Sequence, residues 1–263
     1  KNLLVYDAIN KILNKNKILA PRLYTQRYDK NFIEIQDFGN ETVFKTLKKK
    51  GKNKLSYFNR IIKLLIQIQS IKHRKVKNFR NQNYIIPKYD KKILINEANL
   101  FCDWYAKNNL SKLRKKRFCK KFKKIIKELT LKLKLKDNIF VHRDFHVSNL
   151  MSVKNQIGLI DSQDALIGNK AYDLASLIDD VRLKTSYSFK EKIFKFYTKK
   201  QKNLDIKKFK NDFEILSVLR NLKIIGIFTR LALRDRKKNY LRFIPYTWQL
   251  INMRIDQNRT FID

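Results

Sequence analysis

A chain of 263 residues is long enough to bury a sizeable core in one or two domains. Its 61 lysines and arginines against 23 acids give a formal charge of +38, but the lysines run from end to end beside abundant Asn and Ile, which reads as a chain-wide choice of residues rather than a nucleic-acid footprint. No apolar run is long enough to span a membrane, the opening residues lack the pattern of a signal peptide, and two cysteines (Cys102, Cys119) with three scattered histidines exclude a disulfide framework or a zinc site. A cytoplasmic, monomeric protein with free thiols is expected.

Val5, Ile9, Ile12 and Leu13 mark a helix over Asn2 to Asn14, with Asp7 in its early turns. Ile18-Leu19-Ala20-Pro21 ends it and opens an extended segment to Tyr24. A turn at Tyr28-Asp29-Lys30-Asn31 leads into a strand, Phe32 to Ile35, which stops at Asp37-Phe38-Gly39-Asn40. Leu55, Phe58, Ile61, Ile62, Leu65, Ile66 and Ile68 predict a helix to about Lys75, with His73 at its surface. Asn78 to Asp90 reads as a loop. Ile93 to Leu110 is a second long helix, in which Glu97 suits a solvated carboxylate better than one facing a substrate. Lys112 to Leu135 is a third, carrying Phe118, Phe122, Ile125, Ile126 and Leu129 inward and its lysines on a solvated face.

The stretch from Ile139 to Asp164 carries the chemistry. A short apolar run leads into His142-Arg143-Asp144; Asn149 follows Asp144 by five residues, and Asp161 follows Asn149 by twelve. The segments Leu150 to Val153 and Ile157 to Ile160, joined by a turn at Lys154-Asn155-Gln156, form a hairpin with Asn149 and Asp161 at the same end. That layout serves phosphoryl transfer. Asp144 orients and deprotonates an attacking hydroxyl, while Asn149 and Asp161 hold Mg²⁺ against the phosphates of ATP. Ala165 to Lys170 reads as a loop and Ala171 to Val181 as a helix, with Asp173 near its start, where a carboxylate satisfies free backbone N–H groups. Helices follow over Phe189 to Gln201, Ile206 to about Arg234 and Leu241 to about Gln257. No flexible linker or internal repeat interrupts them.

The run H-R-D-x-x-x-x-N resembles the catalytic loop of the protein-kinase-like fold. With IDSQDALIGNKAYDLASLIDD behind it, the chain is similar to the aminoglycoside phosphotransferase and choline kinase superfamily. The later segment RNLKIIGIFTRLALRDRKKNYLRFIPYTW resembles, within it, the anomeric N-acetylmuramate/N-acetylglucosamine kinases of cell-wall recycling. The resemblance implies an α+β, protein-kinase-like fold. Residues 1–37 would be the remnant of a truncated N-lobe and 38–263 a mostly helical C-lobe.

It also implies transfer of the γ-phosphoryl of ATP, with Mg²⁺, to the anomeric hydroxyl of an N-acetyl amino sugar. Asp144 takes the place of the base, Asn149 and Asp161 of the metal ligands, and His142 and Asp173 of the groups bracing the catalytic loop. Glu34, Ile35, Gln36 and Asp37 fall where a hinge would meet adenine, although an ordinary hairpin strand fits the same stretch. Gln163, Asp164 and Arg230 are candidate sugar contacts that also suit turn, capping or ion-pair roles; His146 has no assigned role.

The sequence departs from the family at its start. Its first glycine is Gly39, beyond the hinge, and neither a glycine-rich phosphate turn nor a lysine-bearing strand precedes the first helix, where Asp7 is the one acidic candidate to pair with such a lysine. Weak or absent turnover by these residues alone is the expectation. Other readings keep the fold and change the acceptor to choline, an aminoglycoside or another small alcohol, or make the chain a catalytically incomplete kinase-like binding protein. The scarcity of acids favours a neutral or anionic acceptor.

Overall fold

The computed structural model describes residues 2–49, 53–256 and 258–261. In chain order its elements are α1 (Leu3–Lys15), β1 (Leu23–Arg27), β2 (Phe32–Ile35), α2 (Val43–Lys48), α3 (Lys54–Gln69), β3 (Lys75–Lys77), β4 (Asn83–Ile85) and α4 (Lys91–Leu100). A π-helical turn (Phe101–Ala106), α5 (Lys107–Asn109), α6 (Lys112–Leu131), β5 (Asp137–Val141), β6 (Leu150–Val153), β7 (Gln156–Leu159) and β8 (Leu166–Asn169) follow. The chain closes with α7 (Tyr172–Ile178), α8 (Tyr187–Lys199), α9 (Ile206–Leu233) and α10 (Ile244–Ile255). Two compact units result, one of Lys1–Lys88, Asp137–Ile178 and Thr185–Lys202, the other of Tyr89–Lys136, Asp179–Lys184 and Asn203–Asp263.

In the first unit, the Asn2 side chain caps α1 by accepting from the N–H groups of Leu4 and Val5, and Ala8, Ile9, Ile12 and Leu13 form its buried stripe. β1 and β2 pair antiparallel through a tight turn in which Asn31 takes the left-handed conformation. The predicted helix to Lys75 stops at Gln69, and the expected loop from Asn78 to Asp90 contains half of a hairpin, β3 with β4. Its turn is held by the Asn78 side chain, which accepts from the N–H groups of Arg80 and Gln82. Strands of three residues leave no period to detect.

β5 pairs antiparallel with β8, and β6 with β7. The expected loop Ala165 to Lys170 is therefore largely a strand. All four residues of β8 are buried, so the polar alternation that marks a half-exposed strand is missing. α2, too short to show a helical stripe, lies along the hairpin: Phe44 N–H donates to the Val147 carbonyl, and Thr46 and Ser152 share a hydrogen bond of 2.9 Å. The hydroxyl of Tyr197 on α8 donates to Gln69 at 2.6 Å, and Gln69 donates to the Lys170 carbonyl at 2.9 Å, tying α3 and α8 to the end of β8.

In the second unit α9 is buried nearly all round, as a central helix must be. Gly226 permits its close approach to α4. A methyl group there would run into the backbone of Leu100 and Phe101, where the π turn begins. Phe101 stacks on Tyr105 and Phe122 and meets Trp248 edge-on. α6 ends at Leu131 rather than Leu135, because the N–H groups of Lys134 and Leu135 turn to the buried carboxylate of Asp212, both at 2.8 Å. Phe118 and Ile125 are exposed, whereas Ile126 and Leu129 are buried. Glu97 is not solvated: it lies 3.0 Å from Lys223 and accepts from the Tyr89 hydroxyl. The last helix begins at Ile244 after a 3-10 turn, and the predicted boundary Gln257 lies outside the described residues. Among the described residues, no helix is long and apolar enough to cross a membrane.

Candidate active site

β5 ends in His142-Arg143-Asp144, and the geometry there is imposed by buried polar groups. Asp173, fully buried in the first turn of α7, accepts from the backbone N–H of His142 at 2.7 Å and of Arg143 at 3.0 Å. Arg143 sits at φ +73°, a left-handed conformation unfavourable for a long side chain, and the Asp173 carboxylate holds it there. The Arg143 guanidinium reaches the Asp164 carbonyl at 3.1 Å. His142 uses Nε2 to meet the Ile160 carbonyl at 3.1 Å, linking the end of β5 to the residue before Asp161. Complete burial pushes its imidazole below the usual range, outweighing the opposing pull of Asp144 and of the Ile160 carbonyl, so the ring is neutral at pH 7.

Asp144 and Asn149 are joined directly. Asn149 Nδ2 donates to the Asp144 carbonyl at 3.0 Å, a bond that orients the amide and leaves its oxygen as the outward group. The Asn149 carbonyl accepts from Ile160 N–H at 3.1 Å, which brings the two ends of the β6–β7 hairpin together. Asp161 follows at φ +60°, and Gln163 Nε2 donates to its Oδ1 at 3.0 Å. Gln163 is buried and also approaches Asp164, whereas Asp164 is exposed. Ser162, between them, donates to Asn10 on α1 at 2.6 Å.

Asn149 and Asp161 line one cleft of about 490 Å³ with Ile35, Gln36 and Asp37. Tyr6, Pro21, Phe38, Gly39, Met151 and Ile160 complete its wall. Three of the four residues expected at the hinge thus face it. The fourth, Glu34, is exposed and accepts from Thr25 across the β1–β2 hairpin. Gln36 N–H is occupied by the Arg22 carbonyl at 2.8 Å. Asp7 is buried on α1 and pairs with Lys11 at 2.9 Å. Arg230 lies half-buried on α9, in the second unit.

Sequence reasoning passed over Phe38, whose ring packs where a Cβ on Gly158 would stand. An isolated glycine inside a strand was the signal available, since it marks such a close approach. Tyr84 on β4 was also missed. Burial, then the nearby Asp164 carboxylate, pushes its phenol above the ordinary range, which puts an un-ionised hydroxyl beside Asp164.

The profile of the phosphotransferase enzyme family matches residues 6–204. The N-acetylmuramate/N-acetylglucosamine kinase of Neisseria meningitidis serogroup B is 27% identical over 86% of the chain and 67% of its own length. The protein of that name from Pseudomonas aeruginosa is 29% identical over 86% of the chain and 65% of its own. The chain therefore spans about two thirds of these curated relatives. The AMP-bound structure of spectinomycin phosphotransferase APH(9)-Ia superposes with a TM-score of 0.63 at 13% identity, covering 95% of this chain and 84% of that one. That likeness identifies the fold as the α+β, protein-kinase-like architecture.

Proposed function

The chain belongs to the phosphotransferase enzyme family, and from that premise we propose that it transfers the γ-phosphoryl group of ATP to the anomeric hydroxyl of N-acetylmuramate or N-acetylglucosamine. One observation carries the reading: the Asn149 amide, oriented by the Asp144 carbonyl, shares a cleft with Asp161 and with three residues of the hinge segment. An amide oxygen and a carboxylate are hard donors suited to Mg²⁺, which usually takes few protein ligands and keeps phosphate oxygens and water for the rest. Asn149 and Asp161 would hold it. When bound, the ion supplies neutralisation of charge on the phosphates.

The remaining work falls to the chain itself. Ile35, Gln36 and Asp37 bound the end of the cleft for the nucleobase, with Phe38 and Met151 as its apolar walls. Asp144 receives the proton of the sugar hydroxyl, held at the loop position that His142 and Asp173 brace. Gln163 positions the Asp161 carboxylate through its amide, so its part in sugar binding is indirect. Asp164 and Tyr84 are offered as acceptor contacts, one as an exposed carboxylate and the other as a neutral hydroxyl. The names of the relatives support an amino sugar as the acceptor.

The test is incubation with γ-labelled ATP, Mg²⁺ and a panel of N-acetylmuramate, N-acetylglucosamine, choline and an aminoglycoside. Label is expected on the amino sugars and is expected to fall by roughly 10²–10⁴-fold in Asp144→Asn, the usual contribution of a positioned base. Label on choline and on neither sugar would refute the acceptor. Unchanged transfer by Asp144→Asn would remove that residue from its role.

A further inference from the structure

Among the described helices of ten or more residues, α6 is the most basic. Ten of its 20 residues are Lys or Arg and one, Glu128, is acidic, against 61 cations in the 263 residues of the whole chain. The other long helices do not share the excess: α3 has three cations in 16 residues and α9 six in 28. The general basicity of the chain therefore does not account for α6. Leu113, Arg117, Lys120, Lys124, Lys127 and Leu131 follow one another at three- and four-residue steps, so they share one stripe of the helix, and all six are exposed. Leu113 is 76% exposed and Leu131 61%, and they bracket the four cations at the two ends of about 27 Å of helix rise. Lys124 touches Glu128 only loosely, at 3.9 Å, and Arg117, Lys120 and Lys127 make no ion pair among the described residues.

A single exposed leucine needs no account. Two of them in line with a row of cations, on a helix already held in place, match one kind of partner. The inner face of α6 is in use: Ile126 and Leu129 are buried, and Phe122 stacks on Phe101. The helix therefore meets a partner through its outward stripe and without having to order its backbone. We propose that this stripe docks on an anionic lipid surface. Arg117, Lys120, Lys124 and Lys127 lie against the headgroup phosphates and carboxylates, and Leu113 and Leu131 reach the acyl boundary beneath them. A nucleic acid would use the same cations but offers no apolar layer to an aliphatic side chain at each end of the row. A bilayer supplies both, over a surface that is flat along the length of the helix. This attachment is independent of the phosphoryl-transfer reading.

Co-sedimentation with vesicles of phosphatidylcholine alone, or of a three-to-one mixture of phosphatidylcholine and phosphatidylserine, tests the assignment at physiological ionic strength. Three variants are compared with wild type. One carries Arg117→Gln, Lys120→Gln, Lys124→Gln and Lys127→Gln; a charge-matched control carries Lys192→Gln, Lys195→Gln, Lys199→Gln and Lys200→Gln, on and just after α8; the third carries Leu113→Asn and Leu131→Asn. Every substituted side chain is exposed, so the variants should fold normally. Wild type should bind the mixed vesicles at least roughly 10-fold more tightly than phosphatidylcholine, and the α6 charge set should weaken that binding roughly 100-fold or more. The control set should stay within about threefold of wild type, because its charges lie off the docking stripe and are screened. The leucine pair should weaken binding roughly 10-fold and leave its salt dependence unchanged. Equal losses in the two charge sets would assign binding to net charge alone and overturn the proposal. So would equal affinity for the two kinds of vesicle, or a leucine variant that binds like wild type. Tighter binding to a DNA duplex than to the mixed vesicles, lost in the α6 charge set and indifferent to the leucines, would assign the stripe to nucleic acid instead.

Discussion

Replacing Asp173 by Asn changes one buried atom and should loosen the whole catalytic loop. The wild-type carboxylate accepts two backbone N–H groups, from His142 at 2.7 Å and Arg143 at 3.0 Å, inside a fully buried site. An asparagine keeps one acceptor and turns its NH₂ toward the second donor. One charge-assisted hydrogen bond is lost, about 1.5–3 kcal/mol, and a buried N–H is left unpaired, about 1–3 kcal/mol more. A destabilisation of about 3–5 kcal/mol follows, or roughly 6–20 °C in Tm for a chain of this size. Arg143, held at φ +73° by that carboxylate, should relax toward negative φ and displace Asp144, so transfer should fall more steeply than stability at a temperature where the variant is folded. Urea denaturation with calorimetry reads the first effect and labelled-phosphate transfer the second. A loss below about 1 kcal/mol with normal transfer would refute the bracing argument.

Three further outcomes are expected. Burial holds the His142 imidazole below its ordinary value of about 6.5, so its contribution to stability is whole above that pH and declines as pH falls toward the folded value, by at most about 1.4 kcal/mol per unit; His142→Gln should remove that part of the slope in urea titrations between about pH 7 and 5, and identical slopes would contradict it. Gly226→Ala should cost about 1–3 kcal/mol or more, since the added methyl meets backbone at Leu100 and Phe101, and a thermal melt within 1–2 °C of wild type (about 0.5 kcal/mol) would show that α4 can yield. Arg254→Met should lose about 3–5 kcal/mol by stranding Asp179, and the double variant with Asp179→Leu should recover most of it.

The long helices were legible because their apolar stripes repeat over three or more turns. α1, α3, α8 and α9 begin within a few residues of where the pattern places them. The short or fully buried elements were not. β8 has no exposed face to alternate with, β3 and β4 are three residues each, and α2 is six. At the site, the spacing from His142 to Asp161 identified which residues to watch, because a hairpin returns its two ends to one place. It could not show that Gln163 would be engaged with Asp161 or that Glu97 would pair with Lys223. Those outcomes depend on contacts between residues far apart in the chain, which local periodicity does not encode.

The central claim is that Asp144, Asn149 and Asp161 act on one metal–nucleotide complex in different capacities. Electron paramagnetic resonance of Mn²⁺ with ATP, on wild type and on Asp144→Asn, Asn149→Ala and Asp161→Asn, tests it most directly. Mn²⁺ affinity in the presence of ATP should fall at least roughly 10-fold in Asn149→Ala and Asp161→Asn and stay within about twofold in Asp144→Asn, in which transfer alone is lost. Unchanged Mn²⁺ binding in both Asn149→Ala and Asp161→Asn would contradict the account.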